Sequence, residues 1–480
     1  MKNSIIKALV ASSLLVSISS TPLADTTEDL INALVLKNIL TEDEAALLSS
    51  QNKVEGKNRS KNVAGKLSIS KYLKKATLYG DIRARQEWRQ GEEYTTPANA
   101  WQRDSVDRSR QRYKITLGVK TDITNDWYTD LAFAMGSKGR SDNATLGGGG
   151  YEESKQALYV KRAMIGWKPT KGIALEAGRI KNPLYTKAMV WDKDLTWDGV
   201  GFKTKHKISK QTTFEFKGGV NTMTGDDKQY TNSSSSDNDS QYQLSAQIVG
   251  KHKFDKKQGP SLKLGLSHTI YTNDDDGGLV FDPSAEGNAA QTYINDLSLI
   301  EIPFDFKTMI SPGLGMTIFG DLAYNIDGSD RRQAFIDGGG TGGADDDKAF
   351  MIGVGLGSYK NFKALDKGKL KKGDWKGNLW YQEVGTYSVD PNHVDSDIFD
   401  SKVNIKGFAF KGQYMIEDNI KANIAYAQIE MPYGAAGDEL VAEIYYQREL
   451  HWTRLLAPCK VIDAPIFKSP KRWQTPAPPH

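Results

Sequence analysis

From Ala76 onward the chain alternates apolar and polar residues in segments of about ten, and this period of two most limits how it can fold. Leu78, Gly80, Ile82 and Ala84 alternate with Tyr79, Asp81, Arg83 and Arg85. Tyr113, Ile115, Leu117 and Val119 alternate with Arg112, Lys114, Thr116 and Gly118. Trp127, Thr129, Leu131, Phe133 and Met135 form one face of a third segment, and Leu440, Ala442, Ile444 and Tyr446 close the series. A strand of a transmembrane barrel needs this pattern, because one face meets hydrocarbon and the other meets the lumen. No stretch after the N-terminus reaches the roughly 18 apolar residues of a spanning helix.

Sixteen segments fit the pattern: 76–88, 108–121, 126–136, 155–167, 172–181, 197–208, 211–221, 241–253, 261–271, 292–303, 313–326, 349–359, 373–387, 403–415, 419–430 and 439–450. Connections after even segments are mostly short, such as Asp122–Asn125, Lys168–Lys171 and Ser209–Lys210. Those after odd segments are long and rich in Gly, Asp, Ser or Asn. The gap at 360–372 is long for a turn. Alternating turns and loops predict an all-β fold, a transmembrane antiparallel β-barrel of about 16 strands, with turns on the periplasmic side. A soluble β-sandwich competes, but rarely repeats so many strands with so regular a connection pattern.

Composition agrees. There are 45 Gly, 21 Tyr and 10 Trp but one Cys, as expected for turns and for aromatic girdles at both membrane interfaces. The negative mean hydropathy is no objection, since only alternate strand residues face lipid. Cys459 has no partner for an intramolecular disulfide. Net charge is +4, much of it at the two ends, with no clustered basic surface for nucleic acid.

The ends differ from the middle. Residues 1–24 read as a signal peptide: Lys2 and Lys7, the apolar run Ala8–Ile18, then small residues with the cut between Ser19 and Asp25. Residues 25–75 read as a short helical segment and linker on the periplasmic side. Leu30, Leu34 and Ile39 follow helical spacing, and Thr41 to Glu44 is a capping box. This segment is a site for a partner or for oligomerisation, or simply a plug or extension. The barrel is expected over 76–450. Residues 451–480 form an atypical Pro-rich tail: six of the 16 Pro and the Cys fall in the last 23 residues, and Gly is absent after Gly437. Because Pro cannot donate to a ladder, the tail is expected to add no paired strand.

Two features could carry selectivity. The first is a basic ladder on the polar faces of the first two segments: Arg83, Arg85, Arg108, Arg110, Arg112 and Lys114. Adjacent antiparallel strands would place them side by side on the lumen wall, where Arg and Lys bias a pore toward anions. Compensation by Asp81, Glu87 and Asp107 is the alternative. The second is the third long loop and its flanks, which mix Arg179, Lys181, Lys187 and Lys193 with Asp192, Asp194 and Asp198. Its Trp191 and Trp197 are costly in water, so it is expected to fold inward and narrow the pore. The alternative is an ordinary surface loop. The acidic runs 226–227, 274–276 and 345–347 have no full metal-ligand spacing and read as solvated loops; no metal or cofactor is called for.

The phrases Leu78-Tyr79-Gly80-Asp81, Arg108 to Tyr113, Ser141 to Gly147, Gly178 to Pro183 and Trp191 to Leu195, in this order, resemble the Putative porin family of Gram-negative bacteria. The resemblance runs over most of residues 28–430. It implies an outer-membrane pore, with the third loop as constriction and a homotrimer as the assembly. Implied partners are outer-membrane lipid and lipopolysaccharide and small hydrophilic solutes. Such porins usually end on an aromatic residue, whereas this chain ends Pro478-Pro479-His480.

The expected function is therefore passive diffusion of small hydrophilic solutes and ions. A structural or adhesive barrel is the alternative, and an outer-membrane hydrolase a further one. A hydrolase needs a nucleophile, a base and an orienting group in reach. Ser267 and His268 are adjacent, but point to opposite faces of one strand. No catalytic constellation emerges.

Overall fold

The computed structural model describes residues 73–95, 102–136, 142–147, 155–224, 241–255, 259–272, 296–337, 346–395, 397–399, 403–430 and 445–460. The predicted signal peptide, almost all of the 25–75 segment and residues 461–480 lie outside these.

The described chain is built on strands. The first are β1 (Lys75–Thr95), β2 (Gln102–Asp122), β3 (Trp127–Met135), β4 (Ala144–Thr145), β5 (Leu158–Trp167) and β6 (Ile173–Lys181). Then come β7 (Thr196–Lys207), β8 (Thr212–Thr224), β9 (Gln241–Lys253), β10 (Ser261–Tyr271), β11 (Ser298–Glu301) and β12 (Phe304–Ser311). The last are β13 (Leu314–Asn325), β14 (Lys348–Ser358), β15 (Trp375–Val384), β16 (Ile405–Glu417), β17 (Ile420–Glu430) and β18 (Tyr445–Lys460). All join one antiparallel sheet, and β1 pairs with both β2 and β18, so the sheet closes on itself. Closure leaves no row of unpaired amides for hydrocarbon to meet.

The eighteen strands make sixteen staves. β4 is a two-residue piece that takes over from β3 beside β2, pairing with Arg112 and Tyr113. β11 and β12 are one stave broken at Ile302 and Pro303, both parts pairing with β10 and β13. The Pro303 carbonyl still accepts from the Gly265 amide at 2.9 Å, so the break costs little ladder.

Side chains sort by face as the alternation dictates. On β14, Phe350, Ile352, Val354 and Leu356 are exposed on the outer wall, while Ala349 and Met351 are buried inside. Exposed apolar side chains recur around the ring, from Leu78 and Ile82 to Phe408 and Ile424, and buried polar ones face inward. Aromatic residues mark both ends of the outer wall. Trp127 and Trp167 stack at 5.7 Å beside a short turn, with Trp375 and Tyr414 also exposed at that end. Tyr159, Tyr242 and Tyr324 stand near the long loops. This is the girdle arrangement of a membrane barrel.

Three sequence expectations need correction. β1 and β2 each run 21 residues, well beyond the expected segments, because a paired ladder can continue where the pattern is no longer apolar. The tenth stave runs on to Ser311 instead of stopping at 303; the proline break hid its second half. The closing strand runs through 451–460, inside the supposed tail. It pairs with β17 up to Arg454 and with β1 up to Lys460. Pro458 falls in a bulge, between the pairs Gly80–Leu456 and Leu78–Cys459, where the ladder asks no amide of it.

Among the described residues two helices interrupt the connections: α1 (Gly328–Asp337) in the loop after β13, and α2 (Phe362–Asp366) in the turn after β14. α2 accounts for the long 360–372 gap. Asn361 caps it, accepting from the Ala364 amide. Phe362 and Leu365 pack with Tyr359 and Met309, and Gly315 opposite must lack a Cβ, which would meet Leu365 and Tyr359 at 2.9 Å. The Asp366 carboxylate is held by Lys251 at 2.6 Å and Lys253 at 3.1 Å on β9. This turn is thus anchored to the inner wall at the short-turn end.

Candidate constriction site

Among the described residues, two long connections fold into the barrel: residues 182–195, here L3, and the described residues of 385–404, here L7. L3 leaves β6 and crosses to the far wall. Gln247 on β9 clasps Tyr185 through both its amide (2.6 Å) and its carbonyl (2.8 Å). The Tyr185 hydroxyl and the Lys187 ammonium reach Asp305 on β12, and the Thr186 hydroxyl donates to Glu301 on β11. The loop then turns back, and Asp194 meets Lys114 on β2 at 2.7 Å and Lys161 on β5 at 3.6 Å. The β2 stave and the β11–β12 stave are eight apart in a ring of sixteen. L3 therefore spans the interior from wall to opposite wall.

The tryptophans explain why it stays there. Trp191 is 6% exposed and Trp197 fully buried, their rings 6.2 Å apart beside Ile180. Burying side chains of this size stabilises by roughly 1.5–3 kcal/mol each.

L7 is the inward element that the sequence alone does not mark. Val389, Val394, Ile398, Phe399 and Val403 are buried with Met189 and Val190 of L3 in one core inside the barrel. The two loops are laced together: the Asp192 amide donates to the His393 carbonyl, and the Asp395 amide to the Ala188 carbonyl at 3.0 Å. The Trp191 and His393 rings lie 4.1 Å apart. The five large apolar residues of L7 are costly to leave in water, as Trp191 of L3 is, but they carry no period that marks where they pack.

The basic ladder faces these loops. Glu87 lies at its centre with a 1% exposed side chain. It accepts from Arg85 at 3.0 Å and Arg110 at 2.6 Å, and meets Arg108 at 3.4 Å and Arg112 at 3.8 Å. Arg85 also reaches Asp397 of L7 at 2.6 Å, and Arg83 meets the same carboxylate at 3.7 Å while bonding Asn143. Lys114 and Lys161 share Asp142 and Asp194. Among the described residues, seven cations thus gather around four carboxylates: Glu87, Asp142, Asp194 and Asp397.

Burial and these partners set the loop carboxylates apart. Burial alone would raise Asp397, but Arg85, Arg83 and Lys411 outweigh it and hold the carboxyl well below its usual range. Asp194 is held low in the same way, burial being outweighed by Lys114 and Lys161. Asp395 goes the other way: burial, then Asp192 and Asp397, push it up to about 7. Two carboxylates two residues apart in L7 therefore stand in opposite protonation regimes near pH 6.

Of the residues singled out in the sequence, Arg83, Arg85, Arg108, Arg110, Arg112, Lys114, Asp192 and Asp194 are brought together here. Arg179 is not. Ile180 and Trp197 take the inward face, so the paired neighbours Arg179 and Asp198 must point outward, where they bond each other. Lys181, at the end of β6, is exposed and joins no ion pair among the described residues. Asp142, Asn143, Lys161 and all of L7 were not anticipated. Among the described residues no group of three or more His, Cys, Asp or Glu is placed to hold a metal.

A closed antiparallel barrel, apolar outside, charged inside and narrowed by inward loops, has the architecture of an outer-membrane channel of the porin type. Residues 83–276 match the model of a family described as "Putative porin". The chain is also similar to the high-pH structure of OprB from Pseudomonas putida (10% identity, TM-score 0.47, 80% of this chain and 94% of that one). It is similar to the outer membrane channel DcaP of Acinetobacter baumannii (10% identity, TM-score 0.42, 79% and 97%). A third is Salmonella typhi OmpF in complex with daunomycin (11% identity, TM-score 0.42, 81% and 99%). No curated protein matches the chain.

Proposed function

We propose that this channel passes small hydrophilic solutes and ions by passive diffusion, with a bias toward anions set where L3 and L7 face the basic ladder. The observation that carries the bias is the row of Arg and Lys side chains on the wall facing the loops, seven cations around four carboxylates among the described residues. Facing charges across a narrow gap create a transverse field that orders water and filters by charge. Arg110, with a side chain 24% exposed, is placed to act on passing ions; Arg85, at 1%, is committed to holding L7.

The channel carries no catalysis in this reading. Ser267 points inward, its hydroxyl toward Glu301 at 3.3 Å, while the exposed His268 bonds Ser298. A nucleophile and base so divided cannot cooperate. Outer-membrane lipid and lipopolysaccharide would cover the apolar wall. Assembly as a homotrimer belongs to the same proposal, and the outward Arg179–Asp198 pair favours it, because a charged pair is better placed against protein than against hydrocarbon.

The test is a reversal potential across a planar bilayer under a salt gradient. The parent should favour chloride over potassium, and replacing Arg110 and Arg112 with Glu should move the potential toward cations. An unchanged potential in a conducting variant would show the ladder to be neutralised locally. A refolded barrel that never conducts would favour a structural or adhesive role.

A further inference from the structure

The inner wall carries a second basic group that the ladder and its carboxylates do not absorb. Lys376 on β15, Lys411 on β16 and Lys421 on β17 stand on three consecutive staves. All three face inward, since Trp375, Phe410 and Ile424 take the outer face of the same strands. Register brings them close. Lys376 pairs with Gln413, two residues from Lys411, and Gln413 pairs with Asn423, two residues from Lys421. L3 adds Lys193 from within the barrel. The charges acting most strongly on the Lys376 ammonium are Lys421, Lys193, Lys411 and Lys307, all cations.

Most inward cations of this barrel are matched. Lys187 has Asp305, Lys203 has Glu176, Lys217 has Glu215, and Lys251 and Lys253 have Asp366. Lys307 donates to the Asp366 carbonyl at 3.3 Å. Among the described residues Lys193, Lys376, Lys411 and Lys421 join no ion pair and no side-chain hydrogen bond. The carboxylates nearest in effect are Asp81 for Lys421, and for Lys411 the L7 pair Asp395 and Asp397, the latter already bonded to Arg85. Like charges gathered on one wall with no carboxylate bonded to any of them repel, and the repulsion is relieved when a mobile anion sits among them. Each ammonium offers three donors on a flexible stem, so several can converge on one small oxyanion. Lys376 and Lys421 are the second residues of strands that rise from short turns, which puts the group on the short-turn side of L3.

We propose that Lys193, Lys376, Lys411 and Lys421 form an anion-binding subsite between L3 and the short-turn end, which takes small multivalent oxyanions in transit. It deepens the channel reading and rests on it: a single negative charge such as chloride is held weakly and passes, while a doubly or triply charged oxyanion engages several lysines and lingers.

The experiment uses the full chain refolded into a planar bilayer in potassium chloride, with inorganic pyrophosphate as probe. Pyrophosphate should reduce the chloride current saturably. The triple variant K376Q/K411Q/K421Q should raise the half-blocking concentration at least tenfold while still conducting chloride. The double variant Lys371→Gln/Lys372→Gln, which removes exposed lysines of the adjoining turn, should leave it unchanged. A block that does not saturate, or that the triple variant retains at the parent concentration, would overturn the subsite. Calorimetric titration of the detergent-refolded barrel separates this from failure of the channel reading. A barrel that binds pyrophosphate and loses binding in the triple variant supports the subsite even if it never conducts. A parent that does not bind overturns it.

Discussion

Four arginines converge on the Glu87 carboxylate, and its removal tests how the ladder is held. Glu87→Gln keeps the shape but leaves Arg85, Arg110 and Arg112 facing one another without their shared anion. Losing one partner of a buried ion pair typically costs about 3–5 kcal/mol. The denaturant midpoint of the refolded barrel should fall by a matching amount, and anion preference should rise in what still folds. An unchanged midpoint would mean that solvent screens the cluster. Asp395 makes the second prediction at this scale. Its folded carboxyl is pushed up to about 7, above the ordinary value near 4 of an unfolded chain. Between those limits the folded loops keep a proton that the unfolded chain has lost, so stability falls as pH rises through the window and levels off above it. Asp395→Asn cannot ionise, so its stability relative to the parent should grow from pH 5 to pH 8. A constant difference would show that Asp395 does not titrate there.

The inward loops are where an element-scale change should be most visible. L3 is tied at one wall by Gln247, Asp305 and Glu301 and at the other by Lys114. Deleting Tyr185 to Lys193 removes the ties to Gln247, Asp305 and Glu301, leaving that of Asp194 to Lys114, and should raise single-channel conductance severalfold; a parental value would place L3 outside the ion path. β18 makes the opposite test. It closes the ring, so truncation after Leu450 leaves Thr77 to Arg85 of β1 without their partners and should abolish the heat-modifiable folded band on gels. Efficient folding of that truncation would contradict the observed pairing. Most staves were legible in the sequence, because hydrocarbon outside and polar lumen inside impose a period of two on every strand. The failures were local. Pro303 split the tenth stave, Pro458 sits in a bulge that sequence cannot distinguish from a break, and the long hairpin of β1 and β2 continues where apolar alternation stops. In the site, the ladder and L3 were legible from charge spacing and stranded tryptophans. L7 was not, since its apolar residues have no period and gain meaning only once L3 is inside to receive them. Arg179 was misplaced because a loop-flanking charge reads alike on either face until Ile180 and Trp197 fix the register.

At the scale of the whole molecule, the interior carries the specificity and the outer wall the location. Apolar side chains and paired aromatic girdles fit the barrel to a membrane, while L3 and L7 pack against each other inside it and α2 is anchored to its inner wall. The electrostatic pattern along the inside is uneven, with a matched but cation-rich narrowing followed by unmatched lysines toward the short-turn end. That ordering favours the passage of anions. Its most direct measurement is the reversal potential of single channels from the refolded full chain under a tenfold potassium chloride gradient. Discrete ohmic steps reversing on the chloride side are predicted; steps that reverse on the potassium side would contradict it.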